Sequence, residues 1–410
     1  MLHCQLNQVN GSEGILIGTA MKPATNQPGG PQRTFGVEEE FLLVDPDTGQ
    51  PLPVAEQALR HAPKNPRTGQ GPVLALEVKQ EQLEVVGPVC STYQQMAQAV
   101  RQGRAMADTA ARAVGARAAA LATSPLAATP TLVPERRYLN MAARFHLTFR
   151  EQLTCGLHVH VHVTSGEEGT AVLDRIRVWL PVLLALSANS PFWQGTNSGY
   201  ASFRYQAWSR WPTAGPCEQF GSLQEYRRHV QELLATGVLL DEGMVYFDAR
   251  LSRNHPTVEV RIADVCMEAE HATVLAAIAR ALVERAAQEW RAGMPAPRLP
   301  AAHLRLAGWM ASEAGVEGNL LHPLRHSPCP ATEAVQDLLA HIRPVLASFG
   351  DEEQVTLGLA HILASGNGAH KQREAMVKSQ SLTAVVMDAV ERTHAVVTSP
   401  HRRSRHLYAT

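Results

Sequence analysis

A β-strand within residues 33–45 is predicted for the stretch Thr34-Phe35-Gly36-Val37-Glu38-Glu39-Glu40-Phe41. Successive side chains of a strand point to opposite faces of the sheet. One face then holds Glu38 and Glu40, and the other holds Phe35, Val37, Glu39 and Phe41. Two carboxylates on one face repel each other at neutral pH unless a cation lies between them, and a divalent cation is the usual one. The alternative is a strand face exposed to water, and this strand alone leaves both interpretations open.

The composition is typical of a globular protein without a strong charge bias. The chain has 410 residues, 45% of them hydrophobic, and a formal net charge of -1, so it can form one large domain or two ordinary ones. This charge gives no general attraction to nucleic acid or to an anionic membrane. The most apolar stretch, residues 178–186, is too short to span a bilayer. We therefore expect neither nucleic acid nor a membrane as a partner, and both a monomer and a homo-oligomer stay open.

The cysteines and the N-terminal region suggest a cytoplasmic protein. The 6 cysteines include no CxxC pair, so neither a zinc knuckle nor a dithiol redox motif is indicated. No secretory leader is recognisable, and we expect reduced thiols in the cytoplasm. Residues 1–32 lack periodicity and hold Asn26-Gln27-Pro28-Gly29-Gly30-Pro31, which predicts a mobile N-terminal extension.

Strands and helices follow one another without a regular βαβ rhythm. Further strands are predicted at 82–87, 119–123, 156–164 and 257–264. Helices are predicted from the capping box Ser91-Thr92-Tyr93-Gln94 to about 115, and over 136–150, 170–188 with a kink at Pro181, 222–236 and 268–291. Residues 195–220 are predicted to be a long loop. This order favours an α+β fold on an antiparallel sheet, with one domain over 33–400 that is mainly helical from about 300.

Side chains suited to metal and phosphate chemistry recur on one face of four predicted strands. They are Glu38 and Glu40, Glu84, the alternating His158, His160 and His162, and the pair Glu259 and Arg261. A concave face with carboxylates, histidines and an arginine would bind cations and an anion together. Phosphate bridged by Mg²⁺ and clamped by arginine has this requirement.

Each of these features also has a plainer interpretation. The two glutamates could face water, a strand histidine could be structural, and Glu259 with Arg261 could be a surface ion pair. The pair His158 and His160 also fits the HxH ligands of a metal-dependent amidohydrolase, although the βα repeats of such a barrel are not predicted. No P-loop and no HExxH motif occurs, so a nucleotide would have to be bound by metals and arginines.

Five segments in collinear order resemble the type 2 glutamate–cysteine ligase family, the bacterial carboxylate–amine ligases. They lie within residues 33–395 and are Gly36-Val37-Glu38-Glu39-Glu40-Phe41, Cys155-Gly156-Leu157-His158-Val159-His160-Val161, Gly199-Tyr200-Ala201-Ser202-Phe203-Arg204, Thr257-Val258-Glu259-Val260-Arg261 and Gly366-Asn367-Gly368-Ala369-His370-Lys371-Gln372-Arg373. The resemblance implies a glutamine-synthetase-like fold, in which a curved antiparallel sheet packed against helices forms an active-site funnel. It implies an ATP-dependent ligase that joins a small-molecule carboxylate and amine, both amino acids. The product would be an amide of the γ-glutamylcysteine type, formed through an acyl phosphate with release of ADP and phosphate.

The resemblance also implies roles for individual residues. The positions that match Mg²⁺ ligands are Glu38, Glu40, Glu84, His158 and Glu259. Arg261 matches the arginine that faces the transferred phosphate, and it is predicted to be catalytic together with Glu259 and Arg204. Contacts with ATP or with a substrate carboxylate are predicted for Arg261, Arg204, Arg210 and Arg373. Mg²⁺ prefers oxygen ligands, so the histidine makes Mn²⁺ an alternative metal.

Three places depart from the family pattern. Residues 122–126, Ala-Thr-Ser-Pro-Leu, stand where the family usually has Gly-Thr-His-Pro-Phe. Gly87 replaces a common Thr, and Glu81 replaces a small polar residue. The predicted metal ligands are complete, whereas the substrate pocket is open to change. A relative that binds a nucleotide or metabolite without turnover is therefore an alternative.

Overall fold

The computed structural model describes residues 33–62 and 71–395. The strands are β1 (Phe35–Val44), β2 (Val73–Leu76), β3 (Gln82–Val86), β4 (Arg117–Ala119), β5 (Leu157–His162), β6 (Phe192–Trp193), β7 (Thr196–Asn197), β8 (Ala249–Leu251), β9 (Thr257–Val260), β10 (Asn319–Leu321) and β11 (Pro328–Pro330). The helices are α1 (Ala55–Arg60), α2 (Tyr93–Arg112), α3 (Arg136–Arg150), α4 (Gly166–Ile176), α5 (Leu180–Ser187), α6 (Phe203–Trp208), α7 (Leu223–Ala235), α8 (Ala269–Arg291), α9 (Ala301–Ala314), α10 (Ala331–Phe349), α11 (Glu352–Ser365), α12 (Gly368–Ser379) and α13 (Leu382–Thr393).

A seven-stranded antiparallel sheet forms the centre of the fold. The strand order is β2-β3-β1-β5-β9-β8, and β4 also pairs with β1. Two further pairs of strands, β6–β7 and β10–β11, are separate from it. The predicted α+β fold on an antiparallel sheet is confirmed. The amidohydrolase barrel is wrong for this chain, because its strands would be parallel and each followed by a helix.

One face of the sheet packs against helices and builds a large hydrophobic core. Val37, Val159 and Val258 on three neighbouring strands are buried on this face. They belong to one cluster with apolar residues of α8, and α8 contacts both β1 and β5. The alternation of apolar and polar residues predicted for these strands is therefore confirmed.

Glu39 points to this apolar side, and the guanidinium of Arg104 neutralises it there. The Arg104 Nη2 lies 2.6 Å from the Glu39 Oε1, and both side chains are 2% exposed. Arg104 also donates hydrogen bonds to the carbonyl oxygens of Cys266 and Met267. Removing one partner of such a buried ion pair costs about 3–5 kcal/mol. Glu39 is thus a structural residue, in contrast to its neighbours on the other face.

Two features predicted for the helices, the capping box of α2 and the kink at Pro181, differ in detail from the structure. The N-cap of α2 is Thr92, whose Oγ1 accepts a hydrogen bond from the Gln95 backbone N–H, while the Gln95 Oε1 accepts one from Ser91 N. The reciprocal capping pair is therefore one residue later than predicted. Pro181 lies in the first turn of α5, where its missing N–H is tolerated. The predicted kinked helix over 170–188 is consequently two helices, α4 and α5.

Several other strands and loops of the structure differ from their predicted bounds or were not predicted. The strand predicted at 119–123 is β4, because Ala118 and Ala119 pair with Leu43 and Leu42 of β1. The predicted loop 195–220 contains β7 and α6. The short edge strands β2 and β8 were not predicted, and neither was the β10–β11 hairpin within the mainly helical part from about 300.

The described residues belong to one compact unit that begins at Arg33. The prediction for residues 1–32 lies outside the described part of the chain. Among the helices within 33–62 and 71–395, none combines the length and the apolar character that crossing a membrane requires.

Candidate active site

The register of the sheet gathers the predicted site residues on the face that is turned away from the hydrophobic core. Glu40 of β1 pairs with Glu84 of β3, and Glu38 pairs with His158 of β5. Directly opposite residues on one face have Cβ atoms about 4.5–5.5 Å apart. On the next strand, His160 pairs with Glu259, which extends the polar face to β9.

These side chains line a pocket of about 360 Å³. Its acidic residues are Glu38, Glu40, Glu84 and Glu259 on the sheet, Glu77 directly after β2, and Glu242. Cationic groups come from Arg137, Arg250, Arg253 and Arg261. Aromatic rings on other elements close the remaining side, among them Tyr138, Trp208, Trp211, Tyr226 and Tyr246. The volume lies in the range of pockets for small molecules.

The carboxyl groups between β1 and β3 are buried and crowded, which disfavours their ionisation in the metal-free protein. Burial, followed by the nearby Glu77 carboxylate, raises the pKa of Glu40 to about 8. Burial and the charges of three neighbouring carboxylates raise the pKa of Glu84 well above its usual range. The Glu40 Oε2 accepts a 2.6 Å hydrogen bond from the Gly156 N–H, which fixes its orientation. A bound divalent cation would relieve this repulsion.

Glu38 behaves differently because two imidazoles face it. Its carboxylate oxygens lie 3.3 Å from His158 Nδ1 and 3.5 Å from His160 Nε2. Burial raises the pKa of Glu38, but these histidines outweigh it and hold the pKa well below its usual range. Burial, with the charge of Arg261, lowers the pKa of His158 to about 4. His158 is therefore neutral at physiological pH, the form in which histidine binds metals.

Glu259 is held ionised by two arginines. The Arg250 Nε lies 2.8 Å from one of its oxygens, and Arg261 Nη1 contacts the other. Burial opposes ionisation, yet the charges of Arg261 and Arg250 depress the pKa of Glu259 strongly. The Nε of Arg261 is buried and has no hydrogen-bond partner among the described residues. Arg261 thus keeps unused donor capacity at the pocket wall.

Two groups of side chains in this pocket are close enough to bind divalent cations. They are Glu40 with Glu84 and His158, and Glu38 with His158 and Glu259, and the ligand atoms within each group lie within 4.8 Å of one another. All five predicted metal ligands are therefore brought together, and His158 is common to both groups. The oxygen-rich set fits Mg²⁺ or Mn²⁺.

Comparison with known protein families identifies the family of this chain. The model of glutamate–cysteine ligase family 2 matches residues 34–392. The chain belongs to this family. A protein of Paenarthrobacter aurescens, provisionally named glutamate–cysteine ligase 2-1, is 54% identical over 366 residues, which cover 88% of this chain and 95% of the relative. One from Streptomyces coelicolor, provisionally named glutamate–cysteine ligase 2, is 48% identical over 363 residues, covering 88% and 99%.

Two solved structures share the fold at low sequence identity. A bifunctional glutathione synthetase from Pasteurella multocida has a TM-score of 0.63 at 14% identity, covering 89% of this chain but 52% of that protein. A glutamate–cysteine ligase from Francisella tularensis, in complex with AMP, has a TM-score of 0.60 at 12% identity, covering 91% of each chain. The predicted family and fold class are confirmed.

Three arginines predicted from the family resemblance do not line the pocket. Arg204 is 3% exposed, and its Nη1 lies 3.7 Å from the Asp264 carboxylate. A Cβ added at Gly156 would lie 2.3 Å from the Arg204 Nη2, so this arginine packs directly against the backbone that fixes Glu40. Arg204 therefore lies beside His158 and close enough to Glu40 for its charge to act on that carboxyl group, and the catalytic and ATP-binding roles predicted for it stay predictions.

Arg210 and Arg373 have partners outside the pocket. Arg210 Nη1 lies 2.5 Å from the Glu151 carboxylate, and Arg373 donates a hydrogen bond to the Tyr200 carbonyl oxygen at 2.9 Å. Their contacts with ATP or substrate stay predictions.

The departures from the family pattern have packing explanations. A Cβ at position 87 would lie 2.8 Å from the Val37 carbonyl oxygen, so Gly87 permits the close approach of the two segments. The Glu81 carboxylate accepts a hydrogen bond from Thr131 N. Ser124 is buried and donates to the Leu126 carbonyl, and residues 122–126 do not line the pocket. None of these three departures from the family pattern places a residue in the lining of the acidic pocket.

Glu77 and Arg250 are among the pocket residues that were not assigned from sequence. Glu77 follows β2, a strand that was not predicted. Arg250 lies in β8, a strand of 3 residues. The one available signal was the presence of charged residues beside short apolar runs.

We expect Mg²⁺ to stabilise the protein, and the stabilisation to grow with pH. Because the pKa of Glu40 is raised to about 8 in the folded state, the folded protein retains a proton that the unfolded chain releases. The stability of the metal-free protein should therefore fall as pH rises from about 4.5 to about 8. Mg²⁺ at 100 times its dissociation constant would add about 2.7 kcal/mol.

Thermal unfolding with EDTA or Mg²⁺, at about pH 6 and about pH 8.5, measures this effect. The Mg²⁺-dependent rise in Tm should be larger at the higher pH and should be mostly lost in Glu84→Gln. Mg²⁺ competes with the protons that the folded protein retains on these carboxyl groups. A rise of equal size at both pH values would contradict this competition.

Proposed function

We propose that the protein is an ATP-dependent carboxylate–amine ligase of the glutamate–cysteine ligase type. It would form an amide between two amino acids through an acyl phosphate and release ADP and phosphate. The observation that supports this most is the convergence of six carboxylates, three histidines and Arg261 in one small pocket. A cytoplasmic location, where ATP is available, is part of the proposal.

The proposed reaction explains why the pocket contains these groups. A carboxylate oxygen of the acid attacks the γ-phosphorus of ATP, and the bond from phosphorus to the ADP oxygen breaks. The amine nitrogen then attacks the acyl carbon, phosphate leaves with the former carboxylate oxygen, and the nitrogen loses a proton. Negative charge accumulates in the first step, so cationic groups around the phosphoryl oxygens lower its barrier.

Each group would have a defined part in this reaction. Glu38, Glu40, Glu84, His158 and Glu259 would bind Mg²⁺, which neutralises phosphoryl oxygens and acts as a Lewis acid when bound. Arg261 would donate hydrogen bonds to the transferred phosphoryl group, because its planar guanidinium binds phosphate oxygens with two donors. Glu259, itself fixed by Arg250, would hold Arg261 in orientation.

ADP release screened over pairs of amino acids, with mass detection of the product, tests this function. We expect ADP release that requires Mg²⁺, an acid and an amine, together with an amide product. Nucleotide binding without ADP release for any pair would favour the alternative of a relative without turnover. Hydrolysis of an amide without ATP would contradict the ligase proposal.

A further inference from the structure

We propose that Glu268, His271 and His361 form a second metal site, for a cation of the Zn²⁺ class. Glu268 is the N-cap residue of α8, and His271 lies three residues later on the same helix. His361 comes from α11. The ligand atoms of the three residues lie within 4.8 Å of one another. None of the three lines the acidic pocket, so this site is independent of the proposed ligase reaction.

The distances match a zinc coordination shell. Glu268 Oε2 lies 3.2 Å from His271 Nε2 and 3.6 Å from His361 Nε2. Ligands about 2.1 Å from a tetrahedral Zn²⁺ are about 3.4 Å from each other. Both imidazoles therefore present Nε2 to the same carboxylate oxygen at a spacing that a tetrahedral ion would bridge.

The buried Nε2 of His271 is the second observation that indicates a ligand. The residue is 3% exposed, and its buried Nε2, although 3.2 Å from Glu268 Oε2, makes no hydrogen bond of acceptable angle with the described residues. An unsatisfied buried polar atom costs about 1–3 kcal/mol. A metal at this position would satisfy it. His361 is 54% exposed, which leaves a path for an ion from solvent.

Two basic side chains orient the Glu268 carboxylate through its other oxygen, Oε1. Lys371 Nζ lies 2.5 Å from Glu268 Oε1, and Arg392 Nη1 lies 3.6 Å from the same atom. Such outer partners fix the direction of a ligand and leave Oε2 for the metal. With two imidazoles and one carboxylate, the site favours Zn²⁺ over Mg²⁺, which prefers oxygen ligands.

The site would connect the C-terminal helices to the core of the fold. It lies between α8 and α11, while Lys371 and Arg392 bring in α12 and α13. The residues just before Glu268, Cys266 and Met267, accept hydrogen bonds from Arg104, the partner of the structural Glu39. We therefore infer a structural metal ion that links α8, α11, α12 and α13 to the segment that contains Cys266 and Met267.

Zn²⁺ titration of the full-length, metal-free protein tests this site. The titration is followed by calorimetry and thermal unfolding, in excess Mg²⁺ to occupy the acidic pocket. We expect binding of Zn²⁺ with a rise in Tm. In His361→Gln, the Zn²⁺ stoichiometry should fall by one per chain, because loss of a direct ligand weakens binding by more than the about 10–100-fold typical of an outer partner.

Matched variants make the outcome decisive. His303→Gln changes an exposed histidine on α9 and should bind Zn²⁺ like the unchanged protein. His271→Gln should also lose the ion, and the more exposed His361→Gln keeps the test valid if that buried variant does not fold. Unchanged Zn²⁺ stoichiometry in His361→Gln would overturn the proposal. So would a protein that binds no Zn²⁺, or one that loses all Zn²⁺ binding in His158→Asn.

Discussion

Replacing Glu84 with Gln is expected to abolish Mg²⁺-dependent ADP formation while the protein stays folded. Glutamine keeps the size of the side chain but removes the charge that would bind the cation. Glu84 pairs with Glu40 across the strands and shares a potential ligand group with Glu40 and His158. Loss of this much electrostatic stabilisation should lower turnover by at least about 10²-fold. Glu40→Gln should have the same effect.

The same Glu84→Gln substitution should raise the stability of the metal-free protein, although it abolishes turnover. Burial and neighbouring carboxylates raise the pKa of Glu84, so its charge destabilises the metal-free fold. The metal-free Glu84→Gln protein should therefore have a higher Tm than the unchanged protein at about pH 8. Glu391→Gln, which alters an exposed carboxylate on α13, serves as the control for both assays. Retained turnover in Glu84→Gln would contradict the metal assignment.

Replacing Arg261 with Lys is expected to lower turnover by about 10²-fold or more without releasing the metal. Lysine keeps the positive charge next to Glu259 but loses the planar set of donors that binds two oxygens at once. Arg261 contacts Glu259 through Nη1, and its buried Nε has no hydrogen-bond partner among the described residues. Rapid measurement of ADP formation, beside the Mg²⁺-dependent rise in Tm, separates chemistry from metal binding.

A structural role for Arg261 would give a different result. If Arg261 only kept Glu259 ionised, Arg261→Lys would retain near-normal turnover. Arg250 offers a comparison, since it pairs with the same carboxylate from β8. We expect Arg250→Lys to weaken the Mg²⁺-dependent rise in Tm more than Arg261→Lys does. Equal effects of the two variants on ADP formation and on Tm would argue against a distinct contact of Arg261 with phosphate.

The polar face of the sheet could be predicted from sequence because strand periodicity is strict. The alternation in β1, β5 and β9 assigned Glu38, His158 and Glu259 to one face, and the antiparallel register then placed them side by side. The opposite assignment of Glu39 is equally clear, since it shares the face of Val37. Periodicity does not reveal its partner Arg104, which comes from a helix 65 residues further along.

The rest of the site depends on long-range placement that local patterns do not contain. Glu77 and Arg250 adjoin or lie in strands too short to show periodicity. Arg204 is in α6, where the sequence predicted a loop, and its burial beside Gly156 depends on how that helix packs. Motif resemblance indicated that Arg204 matters, and the structure places its guanidinium beside Gly156 and near Glu40.

Transfer of ¹⁸O from a labelled carboxylate substrate to phosphate is the most direct test of the proposed reaction. The assay uses Mg²⁺-ATP with an acid and amine pair that gives ADP release, and mass spectrometry of the released phosphate. Attack of the carboxylate on ATP, followed by the amine, must leave one labelled oxygen in the phosphate. We predict one ¹⁸O per phosphate, matched to the amide formed and absent in Glu84→Gln. Unlabelled phosphate formed together with the amide would contradict the acyl phosphate and the proposed role of this pocket.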